Sequence, residues 1–252
     1  FNFMNKRHSI ALDGWDNKDY PMLWRYNIHY FEDLSSVSAT NKTVLYNNLI
    51  SDWVEKNRNQ SEVSWDSYPT SLRIVNFIKW SVNGNHLNKK SISSLHSQFI
   101  WLSRRIEWHL LGNHLFANAK ALLFGSLFFE EKNDHIFKKS LKIINNQIHE
   151  QILEDGAHFE LSTMYHALFL EDLLDIINIS GQFPEKFNDV DIDHWRKSAS
   201  KMLFWLKNFT HSDGEISFFN DSTNFVALKT SQLIEYSSSL NIEDVEILKS
   251  PI

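Results

Sequence analysis

Two stretches of this chain are apolar around most of the circumference of a helix, and they constrain the fold more than any other feature. They lie in "GNHLFANAKALLFGSLFF", residues 112–129, and "MYHALFLEDLLDII", residues 164–177, and both show helical spacing. A helix that is apolar on nearly all sides is buried on most of them. The chain therefore needs further helices that enclose these two.

Helical periodicity continues through most of the sequence. Short connections with breaking residues, such as Asn83-Gly84, Asn133-Asp134 and Asp155-Gly156, separate the periodic segments. Such helices form hairpins that pack in sequence, either as an α/α toroid or as a multilayer bundle. The predicted helices cover residues 41–57, 69–83, 91–109, 113–130, 135–153, 161–180, 192–210 and 222–240.

The composition supports one all-α domain over residues 1–252. Glycine (7) and proline (4) are scarce, which disfavours an all-β fold with many tight turns. No flexible linker interrupts the chain. Residues 1–40 are mixed and rich in aromatic side chains, as in "LWRYNIHYFEDL", and we expect them to pack on the helical body.

Charge and missing motifs narrow the function. A net charge of −6 argues against a general nucleic-acid binder. The chain has no run of about 18 consecutive apolar residues, so we expect no membrane span. The chain has no cysteine, no His-Glu-x-x-His motif and no Gly-rich phosphate loop, so we expect neither a metal nor an organic cofactor. Position 1 is not Met and no signal-peptide core follows, so we expect a fragment; the compartment and the oligomeric state stay open.

An amide, an imidazole and a second amide stand at the start of the first apolar helix. Asn113 and His114 follow Gly112, and Asn118 comes one turn later. Unpaired backbone N–H groups and the positive end of the helix dipole favour an anion there. The alternative is that Asn113 is only an N-cap and His114 a buried core histidine.

A second polar cluster precedes the other apolar helix. Ser162 or Thr163 can cap that helix, and four polar side chains lie near its start: His158, Glu160, Tyr165 and His166. The two polar helix starts could line one pocket, or each could be an ordinary capped start. Asp155 and Glu160 could also form the carboxylate pair of a glycosidase.

Three further residues are candidates for glycan contacts. Arg73 is a charge within an apolar helix and is either an ion-pair partner or a clamp for a carboxylate. Trp65 and Tyr68 could stack on sugar rings, although most aromatic side chains here must belong to the core.

Four long segments resemble, in order, the N-terminal domain of the heparinase II/III-like polysaccharide lyases, a superfamily that includes related alginate lyases. They are "LWRYNIHYFEDL", "SWDSYPTSLRIVNFIKW", "EWHLLGNHLFANAKALLFGSLFF" and "DGAHFELSTMYHALFLEDLLDI", and the similarity extends to about residue 225. The resemblance implies an incomplete α/α toroid of helical hairpins. It also implies a C-terminal β-sandwich, which we expect to be absent from residues 1–252.

The resemblance also implies roles for particular residues. Asn113 matches the family's asparagine that neutralises a uronate carboxylate, His114 the neighbouring histidine that serves as base in some members, and Tyr165 the catalytic tyrosine. Either His114 or Tyr165 could then be the base, and Tyr165 is the candidate acid. An acidic polysaccharide would then be cleaved by β-elimination without a cofactor. The predicted substrate-binding residues are Tyr68, Arg73, Asn118, His158, Glu160 and His166.

Three function classes follow from these observations. The first is a polysaccharide lyase, in which Asn113, His114, Tyr165 and Arg73 line one cleft. The second is a toroid glycoside hydrolase that uses Asp155 and Glu160. The third is a glycan-binding or surface-polysaccharide assembly protein without turnover.

Overall fold

A computed structural model describes residues 1–3, 6–58, 60, 62–110, 112–129 and 134–244. Helices make up 65% of the structure, which confirms the predicted helical class. The α-helices of these ranges are α1 Ile10–Asp13, α2 Met22–Asn27, α3 Thr43–Lys56, α4 Ser67–Val82, α5 Lys89–Ser103, α6 Gly112–Phe128, α7 Asp134–Gln151, α8 Thr163–Ser180, α9 Asp189–Asn208 and α10 Thr230–Ser239. Two short antiparallel strands, β1 Asn2–Phe3 and β2 Lys6–Arg7, precede them.

The chain divides into two compact units, Phe1–Leu141 and Lys142–Ile252, and helix α7 contains the boundary. In the first unit α4 packs mainly on α6, and α5 contacts both. In the second unit α8 packs mainly on α9, and α10 contacts both. The helices therefore pack in pairs. Among the described residues, no helix has the length and apolarity that crossing a membrane demands.

The aromatic N-terminal segment packs on α3 and α4 within the first unit. The Phe31 ring lies 5.0 Å from that of Phe77 and 6.4 Å from that of Trp53, in edge-to-face geometry. The Asn76 side chain donates to the Tyr30 carbonyl at 2.9 Å. Contacts between buried aromatic rings and one hydrogen bond from the Asn76 side chain thus attach this segment to α3 and α4.

The predicted helix 91–109 is too long at its C-terminus, because α5 ends at Ser103. The residues that follow bond to side chains of other helices. The Glu107 N–H donates to the Asn118 side chain at 2.9 Å, and the Ser67 hydroxyl donates to the Arg105 carbonyl at 2.6 Å. These tertiary bonds replace the helical ones, which local periodicity does not indicate.

The predicted helix 222–240 is also too long, since α10 begins only at Thr230. The Ser222 hydroxyl donates to the Phe219 carbonyl at 2.7 Å and accepts from the Met164 N–H at 3.3 Å. This segment is therefore tied to the first turn of α8 and does not continue the helix. The other predicted ends agree within a few residues, except that residue 130 and the Asn133 connection lie outside the described residues.

Two Asp-Gly turns of the second unit have nearly the same local geometry. Asp155 and Asp213 each accept the N–H two residues later at 3.0 Å, and Gly156 and Gly214 have φ of 88° and 87°. One antiparallel bridge closes each turn, Ile152 with His158 and Thr210 with Ile216. The turns differ in packing: a Cβ on Gly156 would lie 2.6 Å from the Lys201 carbonyl oxygen, whereas one on Gly214 meets no atom within 4 Å.

Substituting alanine at the two turn glycines separates backbone strain from packing. Gly214→Ala should lower the free energy of unfolding by about 1–2 kcal/mol, the cost of a left-handed backbone for a residue with a Cβ. Gly156→Ala should lower it by about 1–3 kcal/mol more, because the turn must also move away from Lys201. Urea unfolding followed by circular dichroism measures both, and equal losses would contradict the packing argument.

Candidate functional site

Helix α6 begins at Gly112, so Asn113 and His114 both lie in its first turn and Asn113 is not its N-cap. The first backbone N–H groups of a helix have no partner within it. Both side chains are half-buried, while thirteen of the seventeen residues of α6 are buried. The first turn is therefore the place where this apolar helix presents polar groups.

His114 lies between an aromatic ring and a carboxylate. Its imidazole stacks on the Tyr68 ring at 4.3 Å between centroids, with the planes tilted by 29°. Its Nδ1 lies 3.4 Å from Glu107 Oε1, and 31% of the His114 side chain is exposed compared with 14% of Glu107. Tyr68, a predicted sugar-stacking residue, thus contacts His114, whereas Trp65 is a core residue whose indole donates to the Asn57 carbonyl at 2.7 Å.

Asn118 is fully buried and bonds to other parts of the first unit. Its Oδ1 accepts from the Glu107 N–H at 2.9 Å, and its Nδ2 donates to Glu107 Oε2 at 3.1 Å and to Ser71 Oγ at 3.0 Å. Asn118 was predicted to bind substrate. With no exposed surface it instead supports Glu107 from within, which corrects that prediction.

Arg73 is likewise enclosed and cannot reach a glycan. Its guanidinium donates to Gln98 Oε1 at 2.8 Å, to the His29 carbonyl at 3.1 Å and to Thr70 Oγ1 at 3.2 Å. It lies 3.9 Å above the Trp53 ring, a cation–π contact. Arg73 therefore does not act as the predicted clamp for a substrate carboxylate. It joins α4 to α5 and to the aromatic N-terminal segment.

Tyr26 and Asp66 form a further polar pair that the sequence did not single out. The Tyr26 hydroxyl donates to Asp66 Oδ2 at 2.8 Å. Burial first, then the bond to Asp66 and the negative charges of Asp66 and Glu107, raises the pKa of Tyr26. The Tyr26 hydroxyl therefore stays protonated, and the charge of Glu107 contributes to this effect.

In the second unit, Ser162 is the N-cap of α8 and accepts from the Tyr165 N–H at 3.2 Å. The Tyr165 side chain is half-buried in the first turn. Burial, then the carboxylates of Glu160 and Asp221, raises the pKa of Tyr165. Burial and the nearby charge of Asp221 also raise the pKa of Glu160. The phenol is therefore held in its protonated form.

His158 and His166 are both buried within the second unit. The backbone N–H of His158 donates to His166 Nδ1 at 3.2 Å, and His166 Nε2 pairs with the Met202 carbonyl at 2.9 Å. His158 Nε2 pairs with Gln151 Oε1 at 3.0 Å. Burial lowers the pKa of His158 to about 3 and that of His166 to about 4. Both imidazoles are therefore neutral near pH 7.

The remaining candidate pair is Asp155 and Glu160. Asp155 accepts the Ala157 N–H and so closes the turn before His158. That bond gives Asp155 a structural role independent of catalysis. Within the ranges that the structure describes, no three His, Asp or Glu side chains come together as a metal site would need.

The sequence model of the Heparinase II/III N-terminus family matches residues 2–241 of this chain, which therefore belongs to that family. A heparin-sulfate lyase of Pedobacter heparinus is 21% identical over 263 residues, covering 94% of this chain and 38% of that protein. One of Bacteroides stercoris is 27% identical over 119 residues, covering 44% of this chain and 17% of that protein. The chain thus spans well under half of these relatives.

Solved structures show the same fold. A heparinase III crystal structure superposes with a TM-score of 0.66 at 18% identity, covering 93% of this chain and 40% of that one. The heparan sulfate lyase of Pedobacter heparinus gives a TM-score of 0.62 at 18% identity, covering 90% of this chain and 38% of that one. The helical arrangement therefore matches the N-terminal region of these proteins.

The buried histidines make stability depend on pH. Below pH of about 6.5 the unfolded chain protonates His158 and His166, whereas the folded chain leaves both neutral until far lower pH. The unfolded state then binds more protons, so stability is complete above pH of about 6.5 and falls on acidification. His166→Gln should reduce the loss of unfolding free energy between about pH 7.5 and 5.5 by about 1 kcal/mol.

Urea unfolding at both pH values measures this difference. His194→Gln is the matched control, because it removes an imidazole from the exposed surface of α9 and should retain the parent's pH dependence. A His166→Gln variant with the same pH dependence as the parent would show that the His166 imidazole is not held neutral.

Proposed function

We propose that this chain is the helical part of a polysaccharide lyase that cleaves uronic-acid-containing glycans by β-elimination. The observation that carries the proposal is the start of α6, where Asn113 precedes a partly exposed imidazole flanked by a carboxylate. Membership of the Heparinase II/III N-terminus family supports the same reaction. We further propose that residues 1–252 act as one domain, an incomplete α/α toroid of helical hairpins, in keeping with the lyase structures it resembles.

The proposed substrate is an acidic polysaccharide. Relatives named heparin-sulfate lyases support heparan sulfate as a candidate, and alginate-like or bacterial surface polysaccharides share the same uronate chemistry. A uronate carboxylate would bind at the first turn of α6, where unpaired N–H groups and the helix dipole favour an anion. The Asn113 amide would donate to that carboxylate and stabilise the charge that develops as the C5 proton leaves.

The proposed reaction needs a base for the C5 proton and an acid for the leaving oxygen. His114 removes the proton from C5, and the electrons of the C5–H bond form the C4–C5 double bond. The C4–O4 bond breaks, its electron pair stays on O4, and the Tyr165 hydroxyl protonates that oxygen. The raised pKa of Tyr165 supports the acid role, because the phenol carries the proton that the leaving oxygen needs.

The other predicted residues take different parts in this proposal. Tyr68 and Glu160, both half-buried, remain candidates for contact with the glycan. Four residues act from within the structure because they are fully or almost fully buried: Arg73, Asn118, His158 and His166.

Removing the Tyr165 hydroxyl tests the acid. Tyr165→Phe keeps the ring but not the proton donor, so it should abolish turnover and leave glycan binding nearly unchanged. The assay uses the complete natural protein that contains this chain, with absorbance of the unsaturated uronate as the readout and alginate, heparan sulfate, hyaluronan and bacterial capsular glycans as substrates. Tyr236→Phe is the control, since it removes a hydroxyl that donates to Asp175 in the same unit. Full activity of Tyr165→Phe would disprove the mechanism.

Removing the Asn113 amide tests the carboxylate contact. Asn113→Ala should lower kcat by about two to three orders of magnitude, the range for losing one donor to a developing negative charge. Asn208→Ala, at the exposed end of α9, is the control and should keep full activity. An Asn113→Ala enzyme within a few-fold of the parent would place the uronate carboxylate elsewhere.

The same substrate panel separates the alternatives. Unsaturated products support the lyase. Products with only saturated ends would favour a glycoside hydrolase, and glycan binding without any product would favour a binding or assembly protein.

A further inference from the structure

We infer that Glu107 is the positioning residue of the His114 imidazole, and that the pair works as one acid–base unit. In this pair the neutral His114 imidazole carries its proton on Nδ1 and donates a hydrogen bond to Glu107. The ring lone pair then lies on Nε2. The catalytic role of this pair rests on the proposed function. The structural content of the inference is independent of that function, because the protonation of one ring nitrogen can be measured without a substrate.

Glu107 faces the Nδ1 nitrogen of the His114 ring. His114 Nδ1 is buried, and among the described residues it has no hydrogen-bond partner. Glu107 Oε1 faces it at 3.4 Å, within ion-pair distance but longer than a typical hydrogen bond. Hydrogen bonds of catalytic groups are often long without substrate and tighten in the complex. A buried nitrogen next to a carboxylate favours the N–H form, since the carboxylate can only accept.

Glu107 is held from behind by a fixed amide. Asn118 bonds to both its backbone N–H and its Oε2, which leaves Oε1 for His114. Asn118 in turn donates to Ser71 Oγ, and Ser71 donates to the Ser67 carbonyl at 2.8 Å. This series of bonds runs from α4 through α6 to the connection between α5 and α6. The Glu107 carboxylate therefore has little freedom to rotate away from the imidazole.

Tyr68 fixes the plane of the ring. Its stacking contact covers one face of the imidazole, and Tyr68 is itself contacted edge-on by Tyr30 at 5.9 Å. A carboxylate at one nitrogen and an aromatic ring on one face together define the orientation of His114. The same carboxylate would stabilise the imidazolium that forms when Nε2 takes the C5 proton.

The tautomer of His114 tests this inference directly. Long-range proton–nitrogen correlation NMR on the ¹⁵N-labelled chain, at about two pH units above the ordinary histidine pKa, reports which nitrogen carries the proton. His114→Gln assigns the signal. We expect Nδ1–H in the parent. In Glu107→Leu we expect the ratio of Nδ1–H to Nε2–H to fall by about tenfold, as for loss of one hydrogen bond to a charged group.

Two further variants make the result decisive. Glu107→Gln keeps the shape, but its carbonyl oxygen must accept from Asn118, so its NH2 group would face His114 Nδ1. It should therefore shift the ratio toward Nε2–H even if the leucine variant does not fold. Glu55→Leu, which removes an exposed carboxylate from α3, should leave the tautomer unchanged. An Nε2–H tautomer in the parent, or an Nδ1–H tautomer unchanged in both Glu107 variants, would overturn the inference.

Kinetics then distinguish this inference from the proposed function. In the complete protein, Glu107→Gln should lower kcat by about tenfold with little change in KM, because the positioned base acts only in the transition state. A change in KM alone would overturn the role. If no glycan of the panel were cleaved, the lyase proposal would fail but the tautomer result would be unaffected. The two proposals can therefore fail separately.

Discussion

The buried amide of Asn118 is the interaction on which the first candidate site depends. It stands in a helix whose hydrophobic burial needs no polar group, and it bonds to α4 and to the backbone and side chain of Glu107. A buried polar group that loses its hydrogen-bond partner lowers the free energy of unfolding by about 1–3 kcal/mol. Breaking any one of these bonds would therefore destabilise the folded state. As a result, the connection after α5 is fixed against two helices, and a carboxylate lies beside the His114 imidazole.

The sequence predicts the helices well because their burial follows from local periodicity. The segments of α6 and α8 are apolar on nearly every side, and both are buried helices in the structure. The sequence pattern places residues 104–109 in a helix, whereas α5 ends at Ser103. The backbone of this segment bonds to Asn118 and Ser67, which lie in other helices, and no local pattern reveals such partners. Glu107 was overlooked for the same reason.

The polar clusters were harder to interpret than the helices. Tyr165 and His166 are adjacent in sequence, yet neighbouring residues of a helix point about 100° apart. His166 therefore faces the interior and Tyr165 remains half-buried, with Ser162 as the cap that fixes the first turn. Arg73 illustrates the same difficulty, because its partners Gln98 and Trp53 lie on other helices. A charged residue in an apolar helix has a partner, but the sequence does not say which one.

The most direct test is a crystal structure of the complete protein bound to a uronate-bearing oligosaccharide, with Tyr165→Phe used to prevent turnover. We expect that the uronate carboxylate accepts a hydrogen bond from Asn113, that His114 Nε2 faces C5, and that the ring of residue 165 lies beside the glycosidic oxygen. An oligosaccharide bound away from the first turn of α6, with no contact to Asn113 or His114, would contradict the proposed lyase site.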